Sequence, residues 1–297
     1  MKSQILTIVM LLASCNSKQE TESYRNYIAS WSSDNQQILF YSDRNGNWDI
    51  FRINPDGSDL RQLTSSSFGE REPSWHPQHN SYAFSSDSLG ERRIFLYNFD
   101  SDTITMLTDS PGEHASPSWS PDGNYIAYLT EEKHEWKLIV KNLKDGTLHT
   151  LYNGATYPGR PTWSASGSEV MYSVAIDEKE TLHLVNIDGT IVKTYIPGYN
   201  SCGNAALSPD GAYIIFDAHS DDVLDSGDGK WEIYKMNTKD LSVIRLTNNN
   251  KDDWGARWSR DGTKILFLGA GLNNTGYELF VMNADGSEIL QLTDKTK

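Results

Sequence analysis

Residues Trp119 to Tyr128 read Trp-Ser-Pro-Asp-Gly-Asn-Tyr-Ile-Ala-Tyr, a tight-turn signal running into an apolar stretch, and the phrase recurs along the chain. Its tryptophan falls at Trp31, Trp75, Trp119 and Trp163, each 44 residues from the last, and the series continues through Leu207 to Trp258, with that final step lengthened to 51. The turn varies as Trp31-Ser-Ser-Asp-Asn, Trp163-Ser-Ala-Ser-Gly, Leu207-Ser-Pro-Asp-Gly and Trp258-Ser-Arg-Asp-Gly. The apolar stretch after it reads Ile38-Leu-Phe-Tyr, Tyr82-Ala-Phe, Tyr213-Ile-Ile-Phe or Ile265-Leu-Phe-Leu. A third stretch, such as Asp49-Ile-Phe-Arg-Ile or Glu278-Leu-Phe-Val-Met, leads through a second Asp-Gly turn to a fourth, such as Leu60-Arg-Gln-Leu-Thr or Ile289-Leu-Gln-Leu-Thr.

Short runs of β-branched and aromatic residues, punctuated by Gly, Asp and Asn, are a strand-and-turn pattern. Asp-Gly supplies the positive φ that hairpin turns require. Four strands repeated every 40 to 50 residues mark a β-propeller, whose blades stack because a lone blade cannot cover both of its faces. The expectation is an all-β, six-bladed β-propeller of four-stranded antiparallel blades over residues 24–297. Each blade reads as continuous in sequence, so the ring closes by packing between the blades of Trp31 and Trp258 without a strand shared between the termini. The tryptophans are expected to fill the gaps between blades, and the aspartates after them to accept backbone N–H bonds in their own turns.

Forty acidic against 26 basic side chains give a formal charge of −14. A phosphate backbone or an anionic lipid surface is repelled by that balance, which excludes nucleic acid as an expected partner. Residues 1–14 have the form of a leader: Lys2, an apolar run from Ile5 to Leu12 too short to span a bilayer, then Leu12-Ala13-Ser14-Cys15. This resembles the bacterial lipoprotein signal, which implies cleavage before Cys15 and a diacylglycerol on its thiol. Residues 15–23 are then a polar tether reaching roughly 30 Å at most. Asn16 after the lipidated cysteine favours the outer membrane, with the propeller facing the periplasm. With Cys15 lipidated, no second cysteine remains to form a disulfide with Cys202 in the mature chain, and the protein is expected to be a monomer.

Successive strands in a blade alternate direction, so the short Ser-Pro-Asp-Gly and Asp-Gly turns share one face and the longer, variable loops share the other. Variable loops on a rigid scaffold usually carry binding residues. The residues just before each tryptophan are expected to ring the channel mouth on the loop face: Glu70, Arg71 and Glu72; Glu113 and His114; Tyr157 and Arg160; Asn200, Cys202 and Asn204; Asp252, Asp253, Trp254 and Arg257; with Tyr24, Arg25 and Tyr27. Arg71, His114, Arg160 and Arg257 are the foremost candidates. Such a set grips a peptide or a sugar chain by charge-assisted hydrogen bonds and stacking, or else satisfies itself as structural ion pairs. The lengthened step inserts a loop with Asp221, Asp222, Asp225 and Asp228, which is either a solvated acidic loop or a calcium site built from hard oxygen ligands. Its spacing does not follow the helical-loop calcium motif. His76 and His79 on the turn face have no third ligand for zinc.

The combination of Trp-Ser-Pro-Asp-Gly, an apolar strand into Ser-Asp-Arg-Asn-Gly-Asn, then Ile-Phe-Arg-Ile-Asn-Pro-Asp-Gly and Arg-Gln-Leu-Thr resembles the repeat of TolB-like propellers, and the resemblance covers Tyr24 to Asp294. It implies a non-catalytic cell-envelope module whose channel receives peptide segments or partner lipoproteins. TolB proper carries an N-terminal domain and is soluble, whereas here a short tether and an apparent lipid anchor precede the first strand. A stand-alone TolB-like lipoprotein is therefore expected, without cofactor. Similar repeats form the propellers of prolyl oligopeptidase-type peptidases, but no Gly-x-Ser-x-Gly nucleophile elbow occurs. They also form lyases of acidic oligosaccharides, which hold a metal on channel-mouth histidines; only His114 and His219 are placed for that, though Arg71, Arg160 and Arg257 suit an anionic sugar.

Overall fold

The structure is a computed structural model that describes residues 24–176, 179–199, 201–219, 230–271 and 276–294. The leader, the tether with Cys15, Asn200, and the candidate calcium ligands Asp221, Asp222, Asp225 and Asp228 lie outside the described residues.

Six sheets of four strands form the ring, with no helix among the described residues. Blade one is β1 (Asn26–Trp31), β2 (Ile38–Ser42), β3 (Asp49–Ile53) and β4 (Arg61–Gln62). Blade two is β5 (Glu70–Trp75), β6 (Ser81–Leu89), β7 (Glu91–Asn98) and β8 (Thr103–Met106). Blade three is β9 (Glu113–Trp119), β10 (Tyr125–Glu132), β11 (Glu135–Asn142) and β12 (Leu148–Gly154). Blade four is β13 (Thr162–Trp163), β14 (Glu169–Ile176), β15 (Lys179–Asn186) and β16 (Ile191–Tyr195). Blade five is β17 (Cys202–Leu207), β18 (Tyr213–His219), β19 (Trp231–Asn237) and β20 (Val243–Arg245). Blade six is β21 (Asp253–Trp258), β22 (Lys264–Ala270), β23 (Tyr277–Asn283) and β24 (Leu290–Gln291). Every sheet takes its strands in sequence order and pairs them antiparallel, as the repeat implies.

The second strand of each blade is covered on both sides by neighbouring blades, which is why it reads as a continuous apolar run and not as an alternation. All five residues of β2 are buried, whereas the outer strand β8 is exposed throughout. The core divides into six clusters, each straddling one blade junction. Trp75 lies among Leu39 and Ile50 of blade one, Trp119 among Ala83 and Ile94 of blade two, and Trp163 against Leu129 and Val140 of blade three. Leu207 fills the same place against Met171 and Leu182, and Trp258 against Ile215 and Ile233. Trp31 completes the ring against Leu266, Leu279 and Val281 of blade six. Each recurring residue thus packs onto the preceding blade, and the seam between the first and last blades repeats the other five junctions. Asn26 Nδ2 adds hydrogen bonds across the seam to the Tyr277 carbonyl and Glu278 Oε2, both at 2.8 Å.

The turns explain the rest of the repeat. Ser120 Oγ donates to Asp122 at 2.6 Å and accepts the Tyr125 N–H at 2.9 Å, while Gly123 holds φ at +71°. Ser208 with Asp210 and Ser259 with Asp261 repeat the arrangement. In blade two His76 replaces the serine, and its Nδ1 accepts the N–H groups of Gln78 and His79 at 3.1 and 3.0 Å. The ring sits 4.3 Å from that of Trp119, and burial brings the His76 pKa down to about 4. His76 is thus a neutral turn residue. The Leu-Thr ending of strand four also has a role: Thr64, Thr108, Thr247 and Thr293 each accept a backbone N–H from strand three, at 2.9 Å in every case.

Trp119→Ala empties a blade junction and is expected to cost roughly 3–5 kcal/mol of unfolding free energy in denaturant titrations, in the range for large-to-small core changes. Leu207→Ala, with less buried area to lose, should cost visibly less; equal losses would contradict the junction argument.

Candidate functional site

The inner strand of a blade carries a bulge three residues before its tryptophan. Register shifts by a residue in β1, β5, β9, β17 and β21. Glu72, Ser116 and Asn204 adopt φ of 57°, 54° and 49° there, and Gly255 takes the position in blade six at 70°. A left-handed conformation costs roughly 1–2 kcal/mol for a residue such as Glu or Ser, and bulges re-aim side chains. Here they turn Glu72 and Ser116 into the channel, where Arg160 holds the equivalent place in blade four.

These residues constrict the channel. Glu72 accepts the Ser116 N–H at 2.8 Å, the Ser85 hydroxyl at 3.0 Å and Arg160 Nη2 at 2.9 Å. That ion pair joins blade two to blade four across the axis, with both side chains nearly buried. Burial alone opposes ionisation of Glu72, but Arg160, the Ser116 N–H, Arg92 and Ser85 outweigh it and hold the carboxyl below its ordinary value. Arg257, one residue before Trp258, closes the remaining arc and donates through Nη1 to the carbonyls of Asn204 and Ala256 at 3.1 and 2.7 Å.

From this constriction a cavity of about 410 Å³ extends toward the short-turn face, out to Pro121, Ala165, Pro209 and Arg260. That volume is in the ordinary range for ligand pockets. Its walls are prolines, serines and the inner edges of the tryptophans. Three of those tryptophans are only 6–7% exposed, so they serve chiefly as wall and junction.

The remaining expected mouth residues lie on the loop side of the constriction, and most are committed to one another. Arg71 pairs with Asp87 at 3.0 Å and Glu113 with Arg92 at 2.7 Å. Tyr157 sets its ring edge-on to Trp136 at 4.7 Å, and Asn204 Nδ2 donates to Asp217 at 3.2 Å. His114, Glu70, Asp253 and Cys202 do not face an open mouth, because all four are buried in strand-one positions that point into the blade. His114 Nε2 contacts the Ser110 carbonyl at 3.0 Å, and burial lowers its pKa, so it is neutral. Glu70 accepts the Ser66 hydroxyl, and Asp252 the Trp231 N–H at 3.1 Å. Trp254 belongs to an aromatic cluster with Tyr27 and Tyr277, at 5.4 and 5.3 Å, continued by Tyr41 and Trp48. Arg25 stacks over Trp48 at 5.0 Å and pairs with Asp43 at 2.9 Å. Tyr24 sits under Arg44, 4.8 Å from its guanidinium.

Arg260 was not among the sequence candidates. It stands where three other blades have proline and the remaining two have Ser33 and Ala165, and a charge at that position of the repeat was its signal. Asp217 was also missed, because it looks like one more polar residue at a strand end; it is fully enclosed, and burial raises its pKa to about 6.

Residues 2–202 match the TolB beta propeller domain family, and the chain belongs to that family. Among solved structures, TolB from Acinetobacter baumannii superposes with a TM-score of 0.69 at 14% identity over 91% of this chain. The chain spans 63% of that protein's length. An oligogalacturonate lyase from Vibrio parahaemolyticus gives a TM-score of 0.61 at 16% identity, covering 92% of this chain and 78% of its own. Puromycin hydrolase gives 0.60 at 13% identity, covering 91% and 47%. At these identities the likeness is one of fold, and it includes enzymes.

Two outcomes test the electrostatics. Glu72→Gln leaves Arg160 uncompensated in the channel and should cost roughly 3–5 kcal/mol of stability, as breaking a buried pair does. Burial, with repulsion from Glu232 and Asp252, raises the pKa of Asp253 to about 7 against the donors Asn249 and Thr247. Stability from its neutral form is complete below about pH 4 and is lost as pH rises through about 7. Unfolding free energies of Asp253→Asn should therefore lack this decline, and an unchanged pH profile would show that Asp253 does not titrate so.

Proposed function

We propose that this protein is a non-catalytic TolB-like envelope lipoprotein whose propeller channel receives a segment of a protein partner. The observation carrying this reading is the cavity above the Glu72–Arg160 constriction: it is of ligand size, walled by apolar rings and supplied with cations. Catalysis is disfavoured because Glu72 is the one carboxylate of the described lining and its oxygens are engaged by Arg160, Ser116 and Ser85, leaving no general base. No histidine lines the cavity. An acidic oligosaccharide is the competing ligand, supported by the shared fold of the oligogalacturonate lyase and the channel arginines.

The Leu-Ala-Ser-Cys15 signal supports anchoring through a lipid on Cys15 at the outer membrane, with the monomeric propeller held near the bilayer on its short tether and facing the periplasm. Calcium on Asp221, Asp222, Asp225 and Asp228 is no part of this reading.

Affinity capture from native envelopes should recover one protein with the native chain and lose it with Ser74→Trp, which fills the cavity. Recovery of the same protein at full yield with the filled channel would overturn the channel assignment. Cys15→Ala should abolish incorporation of labelled fatty acid and release the chain from the membrane fraction.

A further inference from the structure

The cavity holds more positive charge than its own residues neutralise. Arg160 is ion-paired with Glu72, whereas Arg257 has only the field of Asp217 and Arg260 has no ion pair among the described residues. Arg257 commits Nη1 to the two carbonyls of Asn204 and Ala256 and makes no ion pair among the described residues. Burial, together with repulsion from Arg160, brings its pKa down to about 10 despite the opposing field of Asp217. It therefore stays charged at neutral pH. A half-buried cation left without an ion pair is costly, and a chain of charge −14 is not short of acidic side chains that could supply one.

Arg260 lies three residues further along the chain, in the turn at the outer end of the same cavity. Its N–H is fixed by Asn35 Oδ1 at 2.8 Å, while its side chain has no hydrogen bond or ion pair among the described residues. Three residues of extended chain place the α-carbons of Arg257 and Arg260 about 10 Å or less apart, and both side chains line the cavity. One marks the floor and the other the mouth.

Some of the other polar groups of the walls are used, while the Ser74 and Ser118 hydroxyls and the indole N–H groups of Trp31, Trp75 and Trp119 make no hydrogen bond among the described residues. Ser30 Oγ accepts the Trp75 N–H at 3.1 Å, Ser116 serves Glu72, and Ser259 serves Asp261 at 2.6 Å. Among the described residues the lining contains no amide side chain and no free carboxylate, the groups that read the hydroxyls of a sugar. Prolines and tryptophan edges suit a backbone and apolar side chains.

We propose that the channel admits, from the short-turn face, an extended peptide segment bearing a carboxylate, which Arg257 receives at the floor after Arg260 has drawn it in at the mouth. This rests on the peptide-binding reading above and adds the charge of the ligand and its side of entry. The carboxylate belongs either to a chain terminus or to an Asp or Glu side chain; both offer the bidentate geometry a guanidinium prefers.

The test is a selection of short random peptides, some displayed with a free C-terminus, on the full chain. Affinities are then read from the fluorescence of the cavity tryptophans. Selected peptides should share a carboxylate, and its amidation should weaken binding roughly ten- to a hundredfold. Arg257→Met should weaken binding similarly, and Arg260→Ala should chiefly slow association and reduce its salt dependence. Arg260 is exposed, so its variant keeps the test valid even if Arg257→Met does not fold. Peptides that bind equally well when amidated, or unchanged in both variants, would overturn the inference. Peptides lost in Trp254→Ala but retained in both arginine variants would also overturn it while preserving peptide binding. Should no peptide be selected while trigalacturonate binds and depends on Arg257, the peptide-binding reading itself falls; binding of neither probe overturns both.

Discussion

A blade of this protein has apolar side chains on both faces of its sheet, so none is stable until a neighbour covers each face. One side chain per blade meets that constraint, the residue that ends the inner strand. Its ring lies over the preceding blade, and in blades four and six the indole Nε1 also donates to a carbonyl there, Trp163 to Ser118 at 2.9 Å and Trp258 to Ala206 at 3.2 Å. Six equivalent junctions require a closed circle, and the seam between first and last blades needs no special latch because it is one of the six. A propeller closed in this way leaves only short, protected inner edges, those of the first strand of each blade, and it commits the protein to a channel on its axis.

The width and charge of that channel follow from the same inner strands. Had they been regular, the residue three before each tryptophan would face the sheet. The bulge turns it to the axis instead, at the cost of a left-handed backbone at Glu72 and Ser116. The strain recurs at Asn204, in three blades in all, and the Glu72–Arg160 pair shows what such a side chain does: it ties blade two to blade four past the intervening blade three and divides the channel into two compartments. The loop-side compartment satisfies its own charges through Arg71 with Asp87 and Arg92 with Glu113. The turn-side compartment does not.

How much of this was legible in the residues follows from the range of the forces involved. Blade number, strand order and the junction role of the tryptophans arise from local turn chemistry and a fixed period, both visible in one dimension. The division into two faces was legible as well, since it depends only on strand alternation. What escaped was the behaviour of side chains at a bulge. Counting back from Trp119 places Ser116 and His114 on the same ring, yet one faces the channel and the other is buried 1% exposed in its blade. The turn face offers little contrast because its loops are short and alike, although the one charged residue at the proline position of the turn, Arg260, is in plain view within the repeat. Cations and carboxylates that meet across 88 residues, as Arg160 and Glu72 do, have no signature in spacing at all.

The contrast between whole and part bears on how a ligand would reach this site. A net charge of −14 gives the surface a field that discourages anions at long range. Beyond a Debye length, about 8 Å at physiological salt, that field is screened, and the local lining decides. Within the cavity three guanidiniums face one carboxylate, and low-dielectric walls of tryptophan and proline strengthen their pull on whatever enters. A short, net-acidic ligand free in solution would be slowed by the outer field, whereas a carboxylate carried on a neutral or basic segment of a larger partner would pass it readily. The charge distribution therefore favours a partner that presents one acidic group in a largely uncharged or basic context over a polyanion such as an oligogalacturonate.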